Sequence, residues 1–258
     1  MSVVVVPIGV RHVLVSLFAA HRRDRAIIDC VLEGHVGETF ADDLAVPTVA
    51  RLGCGPFAAL AGDPASPSAR DLVRCAPIDW VTPETDAWRG FLETEFAGRI
   101  RRIRFIELSA EDLDPGQLDT LAQALPPGFT VARIDAELTE TLIRDLGKQW
   151  LLSSYASMDD FLTRGIGYVV LHDGRVVGSA ASAVSSSRAI DIDIEVAPMH
   201  RRKGLGAAVG AALALECVQR SIEPLWLASN DISVRLAQKL GYVAGGKYET
   251  FEVQPAQA

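Results

Sequence analysis

The chain has 258 residues, 49% of them hydrophobic, and a formal net charge of −8 at pH 7. This length and apolar content suffice for one large domain or two of ordinary size, and we favour two. The acidic balance argues against a general nucleic-acid binder, which would show a basic face or stripe.

The cysteines and the N-terminal segment indicate the cellular compartment of the protein. No C-x-x-C pair and no histidine cluster accompanies the four widely spaced cysteines, Cys30, Cys54, Cys75 and Cys217. We therefore expect reduced core thiols, with neither a metal site nor a disulfide framework. Pro7 and Arg11 interrupt the apolar N-terminal stretch before it reaches membrane-spanning length, which favours a soluble cytoplasmic protein without a membrane partner.

Residues 1–128 read as a mixed α/β domain without a catalytic motif. Amphipathic helices are expected up to Gly34, which suits a position just past a helix end. The later predicted elements are extended segments near Gly37–Phe40 and Thr48–Leu60, a strand at Ile78–Val81, a helix at Asp86–Phe96, a strand at Ile100–Leu108 and a helix at Asp114–Leu125. Pro126-Pro127-Gly128 then marks the predicted domain boundary.

Residues 129–258 form the second predicted domain. Its predicted elements are a strand at Phe129–Ile134, helices at Ala136–Leu146 and Met158–Arg164, strands at Ile166–His172 and Arg175–Val184, a strand at Leu225–Ala228, a helix at Asp231–Leu240 and a last strand at Tyr242–Val253. Asp173-Gly174 lies between two of these strands and is typical of a tight hairpin.

The stretch from Ala189 to Arg220 carries the strongest functional signal. Apolar residues from Ile190 to Val196 alternate with Asp191, Asp193 and Glu195, which predicts a strand with one buried and one acidic face. After Pro198 comes the basic turn, and from Leu205 to Val218 only Glu216 is charged, which predicts a largely buried helix.

The basic turn has the features of a phosphate-binding site. The first amides of a helix have no intrahelical partners and carry a partial positive charge, so they bind anions. Glycines let a phosphate approach these amides, and the nearby guanidinium and ammonium groups add full charges. A polyphosphate is the expected ligand of the residues that form the turn and open the helix: Arg201, Arg202, Lys203, Gly204, Leu205, Gly206 and Ala207.

Arg201-x-x-Gly204-x-Gly206 resembles the Arg/Gln-x-x-Gly-x-Gly/Ala signature of the GNAT superfamily of N-acetyltransferases. The element order from Phe129 to Val253 is similar as well, and so is the run from Ser229-Asn230 to Leu240-Gly241-Tyr242. The resemblance implies a mixed, largely antiparallel sheet flanked by helices, preceded here by an additional N-terminal α/β domain. It implies acetyl-CoA as acyl donor, with its diphosphate at the basic turn. The whole arrangement also resembles the subgroup that contains the zwittermicin self-resistance acetyltransferase.

The resemblance further implies which residues hold the donor and the acceptor. Ile194, Glu195 and Val196 would lie beside the pantetheine and the acetyl carbonyl, and Asn230 and Ser233 would face the pantetheine and the pyrophosphate. Trp150 and Tyr155 fall where the family's first two helices build the acceptor pocket, although aromatic residues there usually belong to the core.

Acetyl transfer to an amine also needs a proton acceptor and a proton donor. Glu195 or Asp193 is the expected acceptor of the amine proton. Asp191, together with whichever of Glu195 and Asp193 does not take the proton, would attract a cationic substrate. The proton donor is harder to place, because the tyrosine of many family members is replaced by Ala237. Tyr248 or water could supply that proton, whereas Tyr242 matches a position that is ordinarily core. The expected acceptor of the acetyl group is the amine of a small, cationic molecule.

Three alternatives remain open from the sequence. Gly204-x-Gly206-x-x-x-Gly210 also resembles a dinucleotide-binding pattern, which would suit an NADP-linked oxidoreductase. A non-catalytic acyl-CoA sensor or scaffold would explain Ala237 and the large domain without motifs. Residues 1–128 could also be a divergent copy of the same fold.

Overall fold

The structure is a computed structural model that describes residues 3–255. Its first half contains β1 (Val4–Val5), α1 (Val15–Phe18), α2 (Arg25–Leu32), β2 (Glu38–Ala41), β3 (Val49–Cys54), β4 (Phe57–Gly62), α3 (Ala69–Arg74), β5 (Trp80–Val81), α4 (Asp86–Glu95), β6 (Ile100–Ser109) and α5 (Pro115–Gln123). A 3-10 helix, Ile8–Leu14, precedes α1.

The second half contains β7 (Phe129–Arg133), α6 (Ala136–Leu146), α7 (Met158–Arg164), β8 (Gly167–His172), β9 (Arg175–Ser185), β10 (Ala189–Val196), α8 (Leu205–Gln219), β11 (Glu223–Ala228), α9 (Asp231–Leu240) and β12 (Val243–Val253). Two further 3-10 helices, Gln149–Ser154 and Pro198–His200, follow α6 and β10.

The chain divides into two compact units. Unit 1 comprises the residues up to Phe105 together with those from Lys247 onward, and unit 2 comprises Ile106–Gly246. The dividing points fall within β6 and β12, so residues 106–109 of β6 belong to unit 2 and residues 247–253 of β12 belong to unit 1. The division at residue 128 that the sequence predicts stays a prediction.

Unit 1 is an antiparallel meander extended by one parallel strand. β1, β2, β3 and β4 pair antiparallel in that order, β4 pairs parallel with β5, and β5 pairs antiparallel with β12. Its core includes Trp88 and Leu92 of α4, Leu72 of α3 and Phe251 of β12, all nearly inaccessible to solvent.

Unit 2 repeats this arrangement with longer strands. β7, β8, β9 and β10 form the antiparallel meander, β10 pairs parallel with β11, and β11 pairs antiparallel with β6. In both units the parallel strand is reached through a helix, α3 in unit 1 and α8 in unit 2. The two halves of the chain thus share one element order.

The helices α6 and α9 begin and end where their capping residues lie. Asp135 accepts a hydrogen bond from the Leu138 amide at the start of α6, and Gly147 ends this helix with a left-handed φ of 66°. Asn230 caps α9 in the same manner, and Gly241 ends it with a φ of 108°. Both helices have the bounds that the sequence predicts.

Helix α8 packs closely against β10 because its contact face is made of small residues. A Cβ placed on Gly210 would come within 2.9 Å of Ile194 Cδ1 and within 3.2 Å of Leu240 Cδ2. The apolar face of β10 therefore lies against α8, and its acidic face points the other way. This packing fixes the N-terminus of α8 relative to the strand that precedes it.

One prediction about the cysteines is wrong. Cys30, Cys54 and Cys217 are buried, as expected, but Cys75 is exposed. Cys75 forms the C-terminal cap of α3, where the chain leaves the helix at the surface, and its thiol donates to the Leu72 carbonyl. Within residues 3–255, no helix is both long and apolar enough to cross a membrane.

Candidate active site

Strands β10 and β11 pair over only three positions and then diverge. Ala189, Ile190 and Asp191 of β10 oppose residues 223–225 of β11. From Ile192 to Val196, β10 continues to pair with β9 on its other edge, whereas residues 226–228 of β11 pair with β6. The edge of β10 that faces β11 is therefore left open over this stretch.

The open edge carries main-chain groups of two particular residues. The Ala197 amide donates to the Val177 carbonyl of β9, and hydrogen-bonded positions in an antiparallel ladder recur at every second residue. Glu195 and Asp193 therefore direct their main-chain groups toward β9. Ile194 and Val196 direct theirs toward the side from which β11 has diverged.

The basic turn joins β10 to α8 through an unusual backbone. Arg202 has a φ of 62° and Gly204 a φ of 83°, both in the left-handed region. A non-glycine residue in this region costs about 1–2 kcal/mol, and such strain is concentrated at functional sites. Arg201 Nε donates to the Val196 carbonyl at 3.0 Å, which ties the turn to the end of the strand.

Helix α8 starts directly after this turn. Ala207 and Ala208 donate to the Gly204 carbonyl, so Leu205 and Gly206 precede the first intrahelical bonds. No acidic residue lies in the first turn of α8. A Cβ on Gly204 would meet no atom within 4 Å, so open space lies beside the helix start. This open, cationic helix start fits a diphosphate.

On the acidic face of β10, two of the predicted carboxylates share a lysine. Lys148 Nζ lies 2.8 Å from Asp193 Oδ2 and 2.6 Å from Glu195 Oε2. The Lys148 side chain is 7% exposed, compared with 22% for Asp193 and 38% for Glu195. Asp191 lies two residues earlier on the same face, at the last position paired with β11.

Lys148 is held there as a cation. Burial opposes its charge, but the hydrogen bonds from its ammonium to Asp193 and Glu195 outweigh burial and raise the pKa of Lys148. The Trp150 ring lies 5.1 Å from Lys148 Nζ, within the range of a cation–π contact. Trp150 is 45% exposed, so this aromatic face is open to solvent.

Comparison with known proteins decides the family. A sequence model described as GNAT acetyltransferase matches residues 15–251. The chain belongs to the GNAT acetyltransferase family. The predicted superfamily and its fold class are thereby confirmed. The match also begins far ahead of Phe129, so the sequence-based resemblance, which covered only the second half, was too short.

Individual relatives agree with the GNAT assignment. The chain is 30% identical to a GCN5-related N-acetyltransferase-like protein from Streptococcus suis 89/1591, whose crystal structure superposes with a TM-score of 0.81 over 95% of this chain and 99% of that one. It is 26% identical over 129 residues to the uncharacterized N-acetyltransferase YdfB of Bacillus subtilis (strain 168). That alignment spans 49% of either protein, about half the length of the curated relative.

A third GNAT relative shares the fold at low identity. The tandem GNAT protein from the clavulanic acid biosynthesis pathway superposes with a TM-score of 0.62 at 16% identity, over 99% of this chain and 100% of that one. GNAT acetyltransferases in general transfer an acetyl group from acetyl-CoA to a small-molecule or peptide acceptor. No group of three or more potential metal ligands occurs in the part of the chain that the structure describes.

The predicted donor-binding residues of α9 make local contacts. Asn230 Oδ1 accepts from the Ser233 amide at 3.0 Å and thereby caps the helix. Ser233 Oγ accepts from Trp226 Nε1 at 2.9 Å. Both side chains thus stabilise the start of α9, and their contact with the donor stays a prediction.

The tyrosines considered as proton donors lie in different surroundings. Tyr242 is buried and donates to the Pro224 carbonyl at 3.0 Å, in agreement with its predicted place in the core of unit 2. Tyr248 belongs to unit 1, where its ring stacks on Phe105 with centroids 5.6 Å apart. The proposed proton-donor role of Tyr248 stays a prediction.

The sequence analysis missed Lys148. This residue follows the glycine that ends α6 and belongs to no motif, and 45 residues separate it from Asp193. Tyr155, in contrast, has its hydroxyl 2.8 Å from Ser182 Oγ in the buried core, as expected of an aromatic residue there. Trp150, the other aromatic residue considered for the acceptor pocket, lies beside Lys148.

Proposed function

We propose that unit 2 binds acetyl-CoA along β10 and transfers the acetyl group to the amine of a small, cationic molecule by direct attack on the thioester. This proposal rests on the divergence of β10 from β11, which occurs directly ahead of the Gly204-capped start of α8. It leaves an open strand edge and an anion-binding helix start on consecutive segments of the chain.

The diphosphate of the donor is assigned to the start of α8. The amides of Leu205 and Gly206 point outward there, and the helix dipole favours negative charge. Arg202 and Lys203 add cationic side chains, both exposed in this structure. Arg201 supports the turn through its bond to the Val196 carbonyl and adds a third positive charge.

The thioester carbonyl is assigned to the open edge of β10. Acetyl-CoA supplies an activated acyl group, and the protein must hold that group where an amine can attack it. The main-chain N–H groups of Ile194 and Val196 face this edge and are available to orient the carbonyl and stabilise the negative charge that develops on its oxygen. Rigid main-chain donors suit this task because they need no reorganisation during the reaction.

Glu195 is assigned as the acceptor of the amine proton. It is the most exposed of the carboxylates bound to Lys148, and it lies between the two residues that face the open edge. Asp193, which shares the same lysine, is the alternative acceptor. As the new N–C bond forms and the C–S bond breaks, the nitrogen releases its second proton to water and the thiolate takes a proton from water, because Ala237 replaces the tyrosine expected in α9.

Two linked measurements test the proposed function. Titration calorimetry should show that the full chain binds CoA and acetyl-CoA, and thiol release should rise above the hydrolytic background when primary amines are added. Donor binding without thiol release across a broad amine panel would favour the acyl-CoA sensor. Thermal protection by NADPH and none by CoA would instead favour the oxidoreductase.

The first half of the chain is proposed to be a divergent GNAT copy. The shared element order of the two halves supports this, as does the likeness to a tandem GNAT protein. The resemblance to the zwittermicin self-resistance subgroup stays a prediction. An amine-bearing antibiotic, an amino sugar and a polyamine are therefore the first acceptors to test.

A further inference from the structure

Lys148 places an ammonium group inside the region assigned to the acceptor. Its Nζ contacts one oxygen each from Asp193 and Glu195 and lies under the Trp150 ring. These partners come from two separate elements, β10 and the 3-10 helix Gln149–Ser154. The Lys148 side chain between them is nearly inaccessible to solvent, whereas Glu195 and Trp150 are partly exposed.

The same surroundings are what a primary alkylammonium ion requires. Charge-assisted hydrogen bonds to two carboxylates satisfy two of its three N–H donors, and an aromatic face provides further attraction to the positive charge. A neutral or anionic molecule could not replace the lysine without leaving two carboxylates close together and uncompensated.

We propose that Lys148 Nζ occupies the position of the acceptor's ammonium, so that Lys148 is an internal competitor that the acceptor must displace. This inference rests on the proposed function, because it takes the acceptor to be an amine. It makes Lys148 a specificity-determining residue and restricts the acceptor class to primary aliphatic amines that arrive as cations.

The local backbone and charge are compatible with withdrawal of Lys148. The residue lies between Gly147, which has a φ of 66°, and a short 3-10 helix, so few regular backbone bonds hold it. Titratable groups facing it are Asp193 and Glu195. With the raised pKa of Lys148, the ammonium competes as a cation at any physiological pH.

The competition has a measurable size. If the withdrawn conformation is populated at about a tenth or less, the apparent Kd of an external ammonium is raised about tenfold or more. Removing the side chain in Lys148→Ala should abolish this competition. Propylammonium is a suitable probe, because it reproduces the end of the lysine side chain that the variant lacks.

The experiment titrates propylammonium chloride into the full-length wild-type chain and into Lys148→Ala, with thermal unfolding as the readout. Lys239→Ala, which removes an exposed lysine from α9, is the matched control, and tetramethylammonium chloride at equal ionic strength is the control cation. We expect at least tenfold tighter binding of propylammonium to Lys148→Ala than to the wild type or to the control variant. Equal affinity in all three chains, or equal stabilisation of Lys148→Ala by tetramethylammonium, would overturn the proposal.

The design separates this inference from the proposed function and from a folding defect. Ammonium binding is read without turnover, and acetyl-CoA binding is measured on the same samples, so failure of one does not imply failure of the other. If Lys148→Ala folds only when propylammonium is present, the proposal is supported. If it does not fold in either case, Lys148→Ser, which also removes the lysine atoms that propylammonium replaces, is titrated in its place under the same criteria.

Discussion

Replacement of Gly204 by alanine tests the donor site most directly. Gly204 has a φ of 83°, and a Cβ there would meet no atom within 4 Å. The cost to stability is therefore conformational, about 1–2 kcal/mol for an L-residue in the left-handed region. In a chain of this size, that loss corresponds to a decrease in Tm of roughly 2–8 °C.

The effect of Gly204→Ala on binding should exceed its effect on folding. The added methyl group stands in the open space where the diphosphate is proposed to meet the first amides of α8. Loss of one hydrogen bond to a charged group costs about 1.5–3 kcal/mol, so the Kd for CoA should rise about tenfold to 150-fold. Titration calorimetry at a temperature well below the unfolding transition measures this change.

Gly98→Ala is the matched control for Gly204→Ala. Gly98 has a φ of 75°, and a Cβ there also meets nothing within 4 Å, but the residue belongs to unit 1. Both variants should lose similar stability, and only Gly204→Ala should lose CoA affinity. Unchanged CoA affinity in Gly204→Ala, together with the expected loss of stability, would refute the assignment of the diphosphate to this helix start.

Three further predictions concern single side chains. Glu195→Gln should lower kcat about 10²- to 10⁴-fold with acetyl-CoA affinity retained, and an unchanged kcat in the thiol-release assay would remove its role as proton acceptor. Tyr242→Phe should cost about 1 kcal/mol in thermal unfolding because its hydrogen bond to Pro224 is lost, and a large decrease in kcat would contradict its place in the core. Burial raises the pKa of Asp24 to about 7 although Thr82 donates a hydrogen bond to it, so the folded chain holds this proton more tightly than the unfolded chain does. The free energy of unfolding should therefore fall by on the order of 4 kcal/mol as pH rises from about 4 to about 7. Asp24→Asn should flatten this pH profile when it is measured by denaturant unfolding. A profile that Asp24→Asn leaves unchanged would contradict the raised pKa of Asp24.

Elements with local signals could be predicted from the sequence. Asp135 and Gly147 delimit α6, and Asn230 and Gly241 delimit α9, because a capping side chain and a left-handed glycine act within a few residues of the helix they bound. The β10 alternation and the basic turn are likewise local patterns. They sufficed to predict the strand and the helix, and the anion-binding character of the turn between them stays a prediction.

Contacts between distant residues could not be predicted in the same way. Lys148 meets Asp193 only because α6 and the following 3-10 helix pack against the sheet, and no spacing in the sequence encodes that meeting. The likeness of the first half to the same fold was only an alternative in the sequence analysis, for a related reason. Its strands are short and its helix α3 has only six residues, so the periodicity on which a sequence reading depends is weak.

The two halves of the chain share an element order but differ where a donor would bind. Ahead of α8 lie three cationic residues and Gly204, whereas the loop ahead of α3 contains Asp63, Pro64 and Pro67. Prolines lack the N–H groups that bind phosphate, and the Asp63 carboxylate already accepts from the Ala65 amide. An acidic loop with few free donors repels a diphosphate. If the halves are copies of one fold, we therefore expect donor binding in unit 2 and none in unit 1.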